Sequence, residues 1–378
     1  MTAAQPALGV AGDRPHVHVV REPIVRRVDS REEWNGLAEQ FADYDVHQGF
    51  EWGELRGTIG WRPVRLAVAD GDRCLAACSL LSRRVPLAGA VFFAPRGPLF
   101  DASVPGGLGA LVDAIRGEAR RARAIFLRAS PPISADDEAA VAALRAHGFL
   151  PLPDMARSWR TTQVLDLRPS EVELWRQLYR ADQVTTAARR GVRVDECHDE
   201  RGLEQLHRLL VGVGGRRGFP VRSAEYVAEI VRQYGSKQLT LLASVDGDVV
   251  GGVLAIRGGD RMVMLYSASN EAARKNHAGL ALYWELVRRS RALGCRWLDW
   301  GPSEVGVPPS ETDPGWGVFR FKARFGSVQR TYPAPHDLVF RRATYRAVRA
   351  FETALIPRLV RAAAHPLVGR LLRRARGA

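Results

Sequence analysis

Apolar and polar positions along the chain alternate in two rhythms, and the same succession of rhythms occurs twice. Residues 62–86, RPVRLAVADGDRCLAACSLLSRRVP, show two apolar runs around Asp70-Gly71, a strand–turn–strand signature. A helix-period stretch near 106–122, the strand AIFLRAS and a second helix near 135–147 follow. Much later LTLLASVDGDVVGGVLAIRGG repeats the hairpin around Asp246-Gly247. A helix around 271–292 and the strand CRWLDWG come after it. The offset between the copies, about 175 residues, predicts a duplicated α/β unit, each a mixed sheet flanked by helices.

Punctuation supports that division. HVHVVR reads as a strand after a loose leader of residues 1–15. Ser30 with Glu33 forms a capping box before a helix to about Phe41, and Ser170 with Glu173 another at the start of the second half. The boundary falls near residue 157, giving units at 1–157 and 158–340 and a tail at 341–378. In the stretch GWGVFRFKARFGS the alternation of Phe319, Phe321, Ala323 and Phe325 with Arg320, Lys322 and Arg324 predicts a strand with a basic outer face. Lys322 would then be a solvated surface charge.

At 378 residues, 46% of them hydrophobic and 25% charged, the chain is globular and long enough for two cores. The start lacks a signal-peptide pattern, no run has the length of a bilayer span, and four cysteines have neither disulfide nor zinc spacing; a reduced cytoplasmic setting is expected. Cys74 and Cys78 read as small core residues. The tail carries ten arginines against Glu352 alone, +9 of the chain's +14. Pro357 and Pro366 should divide it into short amphipathic helices. Such a tail suits an anionic membrane face, a polyphosphate chain, or packing on the body.

Several motifs carry candidate chemistry. Gln48, Trp52 and Arg56 recur at i, i+4, i+8 and would share a helical face, with Arg56 able to reach a phosphate. In FFAPRGPLFD, Pro95, Gly97 and Pro98 stiffen a loop that fixes Arg96 and Asp101. Arg222 and Tyr226 stand one helical turn apart, Tyr266 ends an apolar strand, and Asp299 ends another before a glycine loop. A hairpin followed by a helix and a further strand resembles the acyltransferase fold of the N-acetyltransferase superfamily. The glycine-rich pyrophosphate turn of acetyl-coenzyme A users is missing, because His277 stands where its first glycine belongs.

The order Q-x3-W-x3-[KR], P-R-G-P-x-x-D, R-x3-Y, Y-x-x-S, D-x-G, F-K-x-x-F-G and D-L-V, from Val46 to Val339, resembles the FemABX family of aminoacyl-tRNA-dependent transferases. The resemblance implies two tandem acetyltransferase-like domains and transfer of an amino acid from charged tRNA to the side-chain amine of a peptidoglycan precursor. It implies that Arg56 and Arg222 grip the precursor's phosphates and that Tyr226 and Tyr266 face the substrates. Phe321-Lys322 becomes the essential pair, with Lys322 aimed at the ester and Asp101 the candidate general base; Arg96 and Asp299 support the loops. It implies no metal and no cofactor. Thr185 stands where the family commonly has a base, and no coiled-coil arm occurs, which fits the type that adds the first bridge residue.

The implied partners are aminoacyl-tRNA and a lipid-linked or UDP-linked precursor, with residues 341–378 touching the inner face of the cell membrane. Three other readings remain open: a tRNA-dependent transferase acting on a small-molecule amine, an acyl-CoA-dependent N-acyltransferase, and a basic adaptor for membrane or RNA.

Overall fold

The computed structural model describes residues 23–153, 160–218 and 220–364. The expected leader, the strand HVHVVR and Pro366 lie outside the described residues, as does the expected boundary near 157. The first half runs β1 (Ile24–Arg27), α1 (Arg31–Ala38), α2 (Phe50–Gly57), β2 (Arg62–Asp70), β3 (Arg73–Val85), β4 (Gly89–Pro95) and β5 (Leu99–Phe100). It continues with α3 (Gly107–Ala122), β6 (Ala124–Ser130), α4 (Glu138–Ala146) and β7 (Phe149–Pro151). The second half opens with β8 (Thr161–Asp166), α5 (Glu171–Gln177), α6 (Asp182–Arg189), β9 (Arg193–Glu196), α7 (Glu200–Arg217) and α8 (Ala224–Tyr234). Next come β10 (Gln238–Val245), β11 (Asp248–Gly258), β12 (Arg261–Ser269), α9 (Glu271–Lys275), α10 (Ala278–Ala292) and β13 (Trp297–Asp299). It closes with α11 (Trp316–Ala323), β14 (Val328–Thr331), β15 (His336–Val339) and α12 (Arg342–Ala364).

The duplication is visible in the pairing. β2, β3 and β4 are antiparallel neighbours, and β4 runs parallel to β6; β10, β11, β12 and β13 repeat that pattern. Each hairpin has a register shift just before its turn, at Val68/Ala69 and at Ala243/Ser244. The second turn places Asp246 and Gly247 both at positive φ, as a two-residue primed turn requires. In the first, Asp70 pairs with Arg73, so the turn residues are Gly71 and Asp72 rather than Asp70-Gly71. Apolar Leu108, Leu111, Val112, Ile115 and Ala119 form the buried stripe of α3 against the first sheet. The second core lies under α10, with Leu282, Leu286 and Val287 in the cluster that the helix forms over β10 and β11.

Three expectations need correction. The expected second unit, 158–340, loses its last strand: β15 inserts between β6 and β7 and completes the first sheet. A four-residue strand can pair in either sheet; here Leu338 fills the first core and decides it. The stretch holding Lys322 is helix α11, not a strand. Trp316 and Phe319, spaced i, i+3, stack with ring centroids 5.5 Å apart, an aromatic contact that a strand would split between two faces. Finally, α12 runs unbroken past Pro357; the residue lacks one helical N–H, but a long helix keeps its other bonds. Its first turns are pinned by Tyr345 against Phe126 and by Glu352, whose carboxylate accepts from Arg128 at 3.0 and 3.1 Å. The tail's beginning is thus packed on the body.

Candidate functional site

The two halves meet where Val46 and Leu55 pack against Leu206, Tyr226, Ile230 and Leu254. Two groups of polar side chains flank this joint. The first gathers Arg56 from the end of α2, Arg222 from the segment just before α8, Tyr226 from that helix's first turn, and Tyr266 from β12. The Arg222 guanidinium lies 5.2 Å from the Tyr226 ring centre. Burial pushes the Tyr266 phenol up to about 12, the neighbouring Tyr226 adds to this, and the positive fields of Arg222 and Arg56 oppose it. One phenol therefore feels cations from both halves. Arg56 Nε and Trp52 Nε1 are buried N–H groups with no hydrogen-bond partner. Orphaned donors of this kind are costly unless an acceptor arrives.

Gln48 does not share the α2 face with Trp52 and Arg56. It lies in the 3-10 turn Val46–Gln48, fully buried. Its Oε1 accepts from Ser79 N at 2.8 Å, and its Nε2 donates to Pro95 O at 2.7 Å. A Cβ on Gly97 would stand 2.5 Å from this amide, which explains the glycine in the PRGP loop. The motif's Gln is thus a strut that joins β3 to the end of β4.

The second group surrounds Lys322, which is only 3% exposed. Its Nζ donates to Gly301 O and Pro302 O, both at 2.9 Å. Burial lowers this amine from 10.5 to about 8, partly offset by the carboxylate of Asp299. Asp299 accepts from Gly301 N at 2.8 Å and from the Thr162 hydroxyl, so it shapes the loop whose carbonyls hold Lys322. Phe321 stands edge-on to Tyr283, centroids 4.9 Å apart. The surface-lysine expectation fails with the strand that implied it.

Between the groups runs a buried ionic chain of which the motifs named only Arg96 and Trp52. Arg96, at φ 51, lies 3.8 Å above the Tyr332 ring and 3.8 Å from Asp45. Asp45 meets the His47 ring nitrogen at 2.5 Å, and His47 stands edge-on to Trp52 at 4.3 Å. Burial pushes the Asp45 carboxyl up, but His47, Arg96 and Arg261 outweigh it and hold the group well below the usual carboxylate range. Arg261 in turn feels Tyr332, Asp45 and Asp299. Asp45, His47 and Trp52 are near neighbours, with Asp45 capping the short turn, but Arg96, Arg261 and Tyr332 come from distant segments and match no spacing rule.

Asp101 belongs to neither group. It is exposed and accepts from Ser103 N at 2.9 Å and Ser103 Oγ at 2.6 Å, bonds that pull its carboxyl below the usual range. The loop thus fixes Arg96 and Asp101 separately, one inside and one at the surface. Among the described residues no cluster of three or more His, Cys, Asp or Glu side chains is placed to bind a metal, and no helix is long and apolar enough to cross a membrane.

Comparison with known proteins agrees with this layout. The FemAB family model matches residues 30–143, and the acetyltransferase (GNAT) domain model matches residues 175–322. A lipid II:glycine glycyltransferase of Staphylococcus saprophyticus is 28% identical over 196 residues, 49% of this chain and 47% of that protein. Its Staphylococcus aureus namesake is 25% identical over 211 residues, 53% of this chain and 50% of that protein. The chain therefore spans about half the length of the curated relatives it matches. The crystal structure of FemX superposes with a TM-score of 0.79 at 19% identity, over 86% of this chain and 99% of that one, a likeness of fold.

Proposed function

We propose that this chain is a FemABX-family aminoacyltransferase of peptidoglycan bridge synthesis, a reading supported by the two domain-model matches and the glycyltransferase relatives. It takes an amino acid from charged tRNA and joins it to the side-chain amine of a precursor stem peptide as the first bridge residue. The observation that carries this reading is the pair of buried, unpartnered donors on Arg56 and Trp52, with Arg222 sharing the field at Tyr266. Two guanidiniums and an indole N–H suit a diphosphate, which lipid-linked and UDP-linked precursors both carry. The named substrate of the Staphylococcus relatives, lipid II, favours the lipid-linked form.

The chemistry asks little beyond placement. The amine nitrogen attacks the ester carbonyl, the bond to the ribose oxygen breaks, and the amine's proton leaves with that oxygen or to solvent. Holding amine and activated ester together supplies much of the acceleration. An ammonium has three N–H groups; Lys322 commits two to Gly301 O and Pro302 O, leaving one for the oxyanion or the terminal ribose. Phe321 and Tyr283 fix the helix that presents it. Asp101, exposed and engaged by Ser103, has no part in this scheme. The exposed arginines of α12, Arg342 and Arg346, would rest on an anionic membrane face, placing the enzyme peripherally at the cytoplasmic side.

The test is direct. The purified protein is incubated with tRNA charged in turn with glycine, alanine or serine, and with lipid-linked or UDP-linked precursor; the product is weighed by mass spectrometry. A mass gain of one residue is expected. No gain from any charged tRNA, together with acyl transfer from acetyl-coenzyme A, overturns the reading.

A further inference from the structure

A second basic surface lies apart from the arginines at the precursor site. Arg180, Arg189 and Arg190 are exposed on and beside α6, Lys275 ends α9, and Arg320 and Arg324 belong to α11 and its C-terminal cap. Two ties make these three helices one face. Arg190 donates to Lys275 O at 2.6 Å. Arg324 donates to Tyr179 O at 3.1 Å and to Gln183 Oε1 at 2.8 Å. Beside them Tyr179 is 66% exposed, with the Arg324 guanidinium 5.8 Å from its ring centre. Burial and then the like charge of Arg180 disfavour the charge on Arg324, and Tyr179 and Asp182, the latter 3.9 Å from Arg180, offset this only in part. Arg320 and Arg324 flank Lys322 in α11 and its cap, and a spacing of two turns them away from the buried Lys322, so the ridge is the outer side of the helix whose inner side carries Lys322.

We infer that this ridge docks the acceptor end of an RNA, with phosphates on the arginines of α6 and α11 and an unpaired 3′ base stacked on Tyr179. The inference rests on the aminoacyl-tRNA reading and adds where the donor lies. A row of guanidiniums tracks a phosphate chain, and an exposed ring beside an arginine is a stacking platform for a single-stranded base. A membrane would want a broad apolar face as well, which a lone Tyr179 does not provide. The path then leads the 3′ ester past α11 to Lys322.

The test uses an RNA hairpin with a tRNA-like acceptor stem, with or without a four-nucleotide 3′ overhang, and fluorescence anisotropy on the full chain across a salt series. The double variant Arg189→Gln, Arg320→Gln should bind the overhang hairpin at least tenfold more weakly, with a salt slope shallower by about two. Tyr179→Ala should lose about tenfold on the overhang hairpin and nothing on the blunt one. All three side chains are exposed, and circular dichroism melts should match wild type. Wild-type affinity and salt slope in the double variant overturn the ridge, as does a loss confined to anionic vesicles. A wild-type protein that makes bridge product from charged tRNA but ignores the hairpin also overturns the ridge, and leaves the enzymatic reading standing. Ridge-dependent hairpin binding without any product supports the ridge and removes the enzymatic reading instead.

Discussion

The two units share a strand pattern but use the same position differently. After its parallel-paired third strand, each unit sends a helix back across the sheet: α3 in the first, α10 in the second. The first entry is closed, since Gly107 sits where a Cβ would come within 3.0 Å of Leu75. The second is entered through His277 at φ 58, preceded by the basic α9 and tied through α6 to the helix that carries Lys322. The buried cations differ in the same sense. Arg96, in the first unit, lies against Asp45 and the Tyr332 ring and so serves the joint. Lys322, in the second, meets only two carbonyls and keeps a donor in reserve. After duplication, then, one unit can serve as the wall of a site while the other supplies its reactive edge.

The sharpest way to break this contrast is to remove each cation. Lys322→Met should lower turnover roughly a hundredfold or more, about 2.7 kcal/mol in the barrier. It should also cost about 1–3 kcal/mol in denaturant midpoint, because two loop carbonyls lose their donor. Arg96→Met should reverse the weighting, with stability down by about 3 kcal/mol since Asp45 stays charged and buried, and turnover falling only with the folded fraction. Equal rate effects from the two variants would erase the division of labour.

Next in size is the grip on the acceptor. Arg222→Met and Arg56→Met should each raise the KM for the precursor about tenfold with kcat nearly unchanged, because the phosphates lie away from the reacting bond. A fall in kcat at constant KM would move these arginines to the chemistry.

A pH series sharpens the second unit's role. With Lys322 at about 8, its ammonium is lost as pH rises through 8, and the rate should decline there. Between about 8 and 10.5 the unfolded chain holds a proton that folded Lys322 lacks, so this residue's contribution to stability rises with pH. Both effects should vanish in Lys322→Met. The smallest change is expected at Asp101→Asn, within twofold of wild-type turnover; a hundredfold loss would restore that carboxylate as the base.

What was legible in the sequence was what is local. Both hairpins, the α3 stripe and the repeat came from periodicity, and the arginine and tyrosine positions came with the motif order. The α11 segment reads as a strand because Phe319, Phe321, Ala323 and Phe325 alternate with bases, and both periods put Phe321 and Phe325 on one face; the stack of Trp316 on Phe319, three residues apart, is what the helix alone allows. The chain of Asp45, Arg96, Arg261 and Tyr332 joins four separate segments, and no window contains it. The membership of β15 is equally nonlocal, since HDLV alternates the same way in either sheet.

That last strand has a consequence for how the protein is made. Among the described residues, β7 pairs only with β15, and β6 meets β15 on one side. During synthesis the first sheet therefore stands with a strand-wide gap until residues 336–339 leave the ribosome, whereas strands β8 to β14 are all complete before then. The half translated first should finish folding last, with the edge of β6 and the apolar Phe149 exposed to passing chains or chaperones for the whole interval.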